Sequence, residues 1–293
     1  VSEQEFGAIL ISGLVLGSLY ALMAAGLSLI WSTLKVFNFA HGALVALGAY
    51  AGWVVSDQLG VGFALTLILG VLIMAALSLP FGAIFVRPFI TRPNGDLIVV
   101  VTTIAAATVI QNAVTLIWGT DLKRVPEPHL SSLHVLGNAV GPAQIVAIVA
   151  APVLLIGVGL LLKFSNLGLA IRGVEQNRDF SQLLGVRPPL IYAVTIAIAV
   201  ALAGFAGILL GSIRFVTPEM GTEPLLKAFV VVVFGGLTSL TGTAVSAYVI
   251  GLLEAVSTYY LGLYWSPVVI FGVLVVVMMI RPEGLITRRE VTV

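Results

Sequence analysis

The sequence predicts an all-α polytopic membrane protein, with about eight to nine transmembrane or half-spanning helices, a further helix in a cytoplasmic loop and two weakly similar halves. Three observations predict it. Only 9% of the 293 residues are charged and 59% are hydrophobic, with a mean hydropathy of +1.14, whereas a soluble domain carries about 25% charged residues. Long stretches contain no Asp, Glu, Lys or Arg, and a spanning helix needs roughly 20 mainly apolar residues. Those stretches are solidly rich in Leu, Ala, Val and Gly rather than alternating, which excludes a barrel.

The uncharged runs are Phe6–Leu34, Val36–Ser56, Gln58–Val86, Leu97–Thr120, Pro128–Leu162, Pro188–Ile213, Ala228–Leu253 and Ala255–Ile280. In lipid every backbone polar group needs an internal partner, so each run is expected to be helical. GGLTSLTG at Gly235–Gly242 and the stretch Gly262–Pro267 read as turns inside the last two runs. They divide that region into a short segment at about 224–238, a span at about 243–261 and a final one at about 266–280. The expectation is eight full spans plus one or two short or broken ones. The N-terminus VSEQEFGAILISG has two acids and no basic residue. It lacks the positive start of a signal peptide, so the first apolar segment is expected to be a permanent span.

Lys and Arg in short loops set the orientation. With the tail RPEGLITRRE inside, Lys35, Arg87, Arg92, Lys163, Arg172, Arg178, Arg187, Arg281, Arg288 and Arg289 are cytoplasmic, ten of the fourteen basic residues. Lys123, Arg124, Arg214 and Lys227 fall outside, as does the N-terminus. The whole chain, 1–293, reads as a single transmembrane domain. Its external loop at about 119–143 has the composition of irregular or strand-like structure, and its internal loop at about 165–189 is long enough for a helix. In that internal loop Ile171, Val174, Leu183 and Leu184 can form one apolar stripe, Gly185 a helix end, and Pro188–Pro189 a stop. LYALMAAGLSLIW…FNFAHGALVALGAY and ALAGFAGILLGSI…EPLLKAFVVVVFGGL share a pattern: a long span, a polar break and a small-residue-rich segment. Paired interrupted segments of this kind point to a transport site at the bilayer midplane.

Several chemistries are excluded. There is no cysteine, hence no disulfide framework or thiolate metal site. A net charge of +1 does not fit a nucleic-acid binder. No GxxxxGK[ST] loop, HExxH or GxSxG is present. His41, His129 and His134 are too scattered for a catalytic or metal site, and the last two read as loop surface. No metal, cofactor or catalytic residue is expected. With few embedded carboxylates to couple to protons, energy for active transport has to enter from another subunit.

Polar side chains inside apolar runs are the candidates for a solute path. They are Asn38 and His41 in FNFAHG, Gln111 and Asn112 in TVIQNAVTLI, and Glu254 with Ser257 and Thr258 on the same helix face. For each the alternative is structural: Asn38 as a helix cap, the others as partners of neighbouring helices.

The chain resembles the LivH-type permease of the high-affinity branched-chain amino acid ABC importer family. The resemblance is carried by GLVLGSLYALMAAGLSLIW, NFAHGALVALGAY, VEQNRDFSQLLGV, AFVVVVFGGLTSLTGT and RPEGLI, in that order and across nearly the whole chain. It implies a multi-pass subunit of the bacterial inner membrane, in contact with membrane lipid and not an enzyme. The implied partners are a LivM-like second permease subunit, two cytoplasmic ABC ATPase subunits and a periplasmic solute-binding protein. The implied cargo is branched-chain or other hydrophobic amino acids, moved by alternating access; related systems carry urea, short amides and other small organic solutes. The loop at Arg172–Val186 resembles the family's coupling helix, which fits a groove on the ATPase. Arg172, Glu175, Gln176, Asn177 and Asp179 fall in its polar part, and Leu183, Leu184 and Gly185 in its closing part. Glu175 and Ser181 depart from the small residues common there. The reading from another class is a stand-alone channel or secondary transporter, which solute flux through the chain reconstituted alone would reveal.

Overall fold

A computed structural model describes residues 2–90, 92–128, 131–281 and 284. His129, Arg288, Arg289 and, in RPEGLI, all but Arg281 and Gly284 lie outside the described residues. The helices are α1 (Glu3–Leu34), α2 (His41–Leu59), α3 (Phe63–Phe81, continued as a π-helical turn over Gly82–Val86), α4 (Gly95–Trp118), α5 (Pro142–Phe164), α6 (Asn166–Gln176), α7 (Arg178–Leu183), α8 (Pro188–Ile213), α9 (Thr222–Gly235), α10 (Leu240–Leu261) and α11 (Ser266–Ile280).

Nine of these form the bundle, so the expected eight to nine spanning or half-spanning helices are present. Among the described residues six are long and apolar enough to cross a membrane: α1, α3 with its π-helical turn, α4, α5, α8 and α10. That is fewer full spans than the eight expected from uncharged runs. The run Val36–Ser56 does not start a helix until His41, and α9 and α11 are only 14 and 15 residues long.

Local signals explain the ends. Ser2 and Glu5 form a reciprocal capping box at the start of α1. Lys35 closes α1 in a left-handed conformation, φ 58°. Pro188 and Pro189 begin α8 rather than stop the preceding helix, since proline's missing N–H costs nothing in a first turn. The external loop holds a hairpin, β1 (Leu133–Val135) against β2 (Asn138–Val140). Leu136 and Gly137 both have positive φ, 51° and 75°, as a two-residue hairpin turn of the type favoured by strand twist requires. The strand-like expectation for 119–143 holds there, and His134 lies exposed on β1.

The bundle is built around α1 and α8, which pack on each other, with α10 against α1 and α2 against α8. In the apolar 18-residue stretch of each span, 67% of α8 is buried but only 17% of α5. Lipid gives no hydrophobic drive between helices, so close backbone approach through small residues does the work. Gly48 faces Gly204, and a Cβ on Gly207 would sit 2.0 Å from the Val45 carbonyl oxygen. Gly207→Ala is therefore expected to push α2 from α8 and to destabilise the fold by about 1–3 kcal/mol. Thermal unfolding of the detergent-solubilised protein measures this; an unchanged midpoint would show that the helices separate freely.

Candidate functional site: two half-helices and a buried ion pair

Both halves of the chain share one construction. A long helix (α1, α8) leads into a non-helical segment (35–40, 214–221) and then a shorter helix (α2, α9). The first segment turns back into the bundle. Its side chains alternate: Val36, Asn38 and Ala40 are buried, while Phe37 and Phe39 are half-exposed. Its backbone is held by side chains. Phe39 N–H donates to Thr103 Oγ1 at 3.2 Å, and Ala40 N–H donates to Asn38 Oδ1 at 3.1 Å. Asn38 thus shapes the turn before α2 but does not cap the helix: Ala40 holds the cap position, with no side-chain cap hydrogen bond.

α2 starts deep in the bundle. The His41 ring packs against Gly26, which the Ala199 carbonyl, near the middle of the 26-residue α8, also approaches. It is fully buried, with the Met23 backbone beside it and neither ring nitrogen in a hydrogen bond of ordinary geometry. The start of α9 lies at the same place. A Cβ on Gly42 would sit 2.5 Å from the Gly221 carbonyl oxygen, and one on Gly221 would sit 1.9 Å from that of Gly42. The two half-helices therefore meet beginning to beginning.

Beside this junction an aromatic group faces out of the chain. Phe37 stacks on Trp31 (4.1 Å between centroids), and both Phe37 and Phe39 lie 5.2 Å from Phe229 of α9. Thr222, Leu226, Phe229 and Val233 recur at helical spacing as the open face of α9. Gln111 on α4 reaches the end of this face, with Nε2 3.4 Å from Thr222 Oγ1. Asn112 instead bonds back to the Thr108 carbonyl and lies exposed on α4.

Glu254 is elsewhere. It is 3% exposed and ion-paired to Lys227 on a buried side of α9, Nζ to Oε1 at 2.5 Å; Tyr20 OH donates to its other oxygen at 2.7 Å. Lys227 also holds Glu223 at 2.5 Å. The sequence counts Lys227 with the external basic residues and puts it in the short segment expected at about 224–238. It lies within α9, and its charge is neutralised inside the bundle, as an embedded ammonium requires. Glu254 likewise is not alone. Sequence reading missed Lys227, Tyr20 and Phe229. The usable signal was that two opposite charges, Lys227 and Glu254, bound the uncharged run Ala228–Leu253.

The internal loop forms two helices rather than one. Asn177 separates α6 from α7, and its Oδ1 accepts the Phe180 N–H at 2.9 Å. Ile171 and Val174 face inward, but Phe180, Leu183 and Leu184 are 58%, 83% and 70% exposed, so the single stripe expected is split between two faces. Gly185 has φ 84° and ends α7 with Val186 N–H bonding back to the Ser181 carbonyl, which corresponds to the expected helix end.

A family described as "Branched-chain amino acid transport system / permease component" matches residues 9–278. The chain belongs to this family. It is a multi-pass membrane permease component, not an enzyme. Among its relatives is the high-affinity branched-chain amino acid transport system permease protein LivH of Salmonella typhimurium, 28% identical over 96% of this chain and 95% of that one. Another is BraD of Pseudomonas aeruginosa, of the same description, 29% identical over 96% of each. The fold is shared with PsaBC from Streptococcus pneumoniae, solved in complex with Fab: TM-score 0.50, 11% identity, 94% of this chain and 91% of that one.

The ion pair predicts an asymmetric response. Lys227→Met leaves Glu254 buried with only the Tyr20 hydroxyl, and removing one partner of a buried pair costs about 3–5 kcal/mol. Glu254→Gln leaves Lys227 paired to Glu223, so its cost is expected to be smaller. Thermal unfolding of the two variants decides; equal losses would mean that Glu223 does not hold Lys227.

Proposed function

We propose that this chain is the permease subunit of an ATP-driven ABC importer. It moves branched-chain or other hydrophobic amino acids across the bacterial inner membrane by alternating access. The observation that carries the reading is the family match over residues 9–278, with relatives of that description covering nearly the full length of both chains. The proposed partners are a LivM-like second permease subunit, two cytoplasmic ABC ATPases and a periplasmic solute-binding protein.

Within this scheme the α6–α7 knuckle is the coupling element. Phe180, Leu183 and Leu184 present an exposed apolar edge, while Arg172, Glu175, Gln176, Asn177 and Asp179 supply the polar surround. Gly185 allows the chain to turn sharply after that edge. The path runs along the open face of α9 beside Phe37 and Phe39, with Gln111 at its edge and Asn38 and His41 behind it. Glu254 acts there by holding α9 to α10 and α1 rather than by touching solute. Asn112 is assigned no contact with solute.

Charge reversal at Asp179, substitution of Gly185, or Leu183→Asp is expected to uncouple ATP hydrolysis from uptake while membrane insertion stays normal. In proteoliposomes of the complete transporter, uptake should fall by about tenfold or more, the loss typical of a removed interface anchor. Normal uptake in all three would remove the docking role. Uptake of leucine but not urea by the wild-type complex supports the proposed cargo, and the reverse result replaces it. Solute flux through this chain reconstituted alone would favour a stand-alone channel instead.

A further inference from the structure

We infer that the start of α2, with Asn38 folded over it, is the binding site for the carboxylate of the transported solute. This rests on the proposed amino acid cargo and deepens it.

The first turn of a helix leaves backbone donors without intrahelical acceptors and carries a partial positive charge. Four of the eleven helices among the described residues meet part of that need with a side-chain cap. Ser2, Ser165, Asn177 and Ser239 accept backbone N–H groups at the starts of α1, α6, α7 and α10. α2 has no side-chain cap hydrogen bond and no acid in its first turn, as is also true of α3, α5, α8 and α11, but its start is buried inside the bundle. Its first N–H, of His41, is bonded to the Asn38 carbonyl at 3.2 Å. Among the described residues, the next two, of Gly42 and Ala43, find no acceptor.

The independent observation is Asn38. Its side chain is 2% exposed. Oδ1 is committed to Ala40 N–H, which pins the amide against the α2 start, and Nδ2 has no hydrogen-bond partner. A buried amide N–H pair without an acceptor is costly, because a group taken out of water loses its hydrogen bonds. Gly42 and Ala43, whose N–H groups find no acceptor, follow Asn38 in the chain. The segment offers several donors and the positive end of a helix, with the Gly221 carbonyl oxygen across the junction. An anion with two oxygens answers these donors, and the carboxylate of a hydrophobic amino acid is such a group.

The surroundings agree. The contact of Gly42 with Gly221 brings the start of the second half-helix to the same point, and the acid in its first turn, Glu223, is held by Lys227. Phe37 and Phe39, packed on Phe229, occupy the open side of the same segment. Parting these rings would give a solute access to Asn38, and their closure would shut the site from the path.

The test uses the assembled transporter in detergent, without binding protein, and measures equilibrium binding of radiolabelled leucine. Unlabelled leucine and 4-methylpentanoate, which keep the carboxylate, are expected to compete; leucinamide, which lacks it, should be weaker by about tenfold or more, as for a lost hydrogen bond to a charged group. Asn38→Asp keeps an acceptor for Ala40 N–H, and so the turn, but replaces the free donors with negative charge. It should bind leucine about tenfold or more weakly with unchanged elution and thermal unfolding. Leucinamide competing as well as leucine, or wild-type affinity in Asn38→Asp, overturns the assignment. So does failure of a leucine-transporting complex to retain leucine at all. If Asn38→Asp does not fold, the competition series on the wild type decides alone. A wild-type complex that takes up no hydrophobic amino acid even with its binding protein sinks the cargo proposal itself, a result distinct from loss of the site alone.

Discussion

A backbone N–H or C=O without a partner costs several kcal/mol in hydrocarbon, and this permease is organised around that cost. Helices meet it almost everywhere. The chain leaves the helix inside the bundle at 35–40 and 214–221, and there its backbone has to be buried in protein or to line a path. Asn38 and Thr103 supply bonds that the missing turns of helix do not. The same constraint lets α2 and α9 begin within the bundle rather than at its edge, and so creates two polarised helix starts in one place.

Close packing of those starts depends on glycine. Gly42 and Gly221 touch backbone to backbone, and Gly48, Gly204 and Gly207 bring α2 against α8. The Lys227–Glu254 pair then holds α9 to α10, with Tyr20 adding α1. A buried pair of this kind adds little net stability compared with apolar residues of similar size. Its effect is positional: it holds one side of α9 and leaves the opposite side, with Leu226 and Phe229, open. The open face of α9 is thus set by the side that is tied down.

In the 165–189 loop the break at Asn177 has a comparable consequence. One continuous amphipathic helix would have laid Leu183 and Leu184 on the same side as Ile171 and Val174. The break turns them outward, so α6 is anchored by its inner residues while α7 offers an apolar edge. An element anchored on one side and exposed on the other is suited to passing a push from a partner into the bundle.

The membrane class, most helix positions and the likeness of the two halves were legible in the sequence, because they depend on local composition and on runs of apolar residues. NFAHG and the 165–189 loop were legible as places of interest for the same reason: polar residues are conspicuous against such a background. Full spans were overcounted because a run without charges does not reveal where its helix begins; His41 starts α2 only because residues 36–40 find partners on α4 and within their own turn. The role of Glu254 could not be read locally either. Its ammonium partner is 27 residues away and Tyr20 is 234 away, and only packing brings them together. By itself the sequence determined the solvent, the helices and the family to which the chain belongs. The tertiary structure decided which polar residues are paired and which, at the start of α2, are left free, since satisfaction of a buried group depends on neighbours that chain order does not specify.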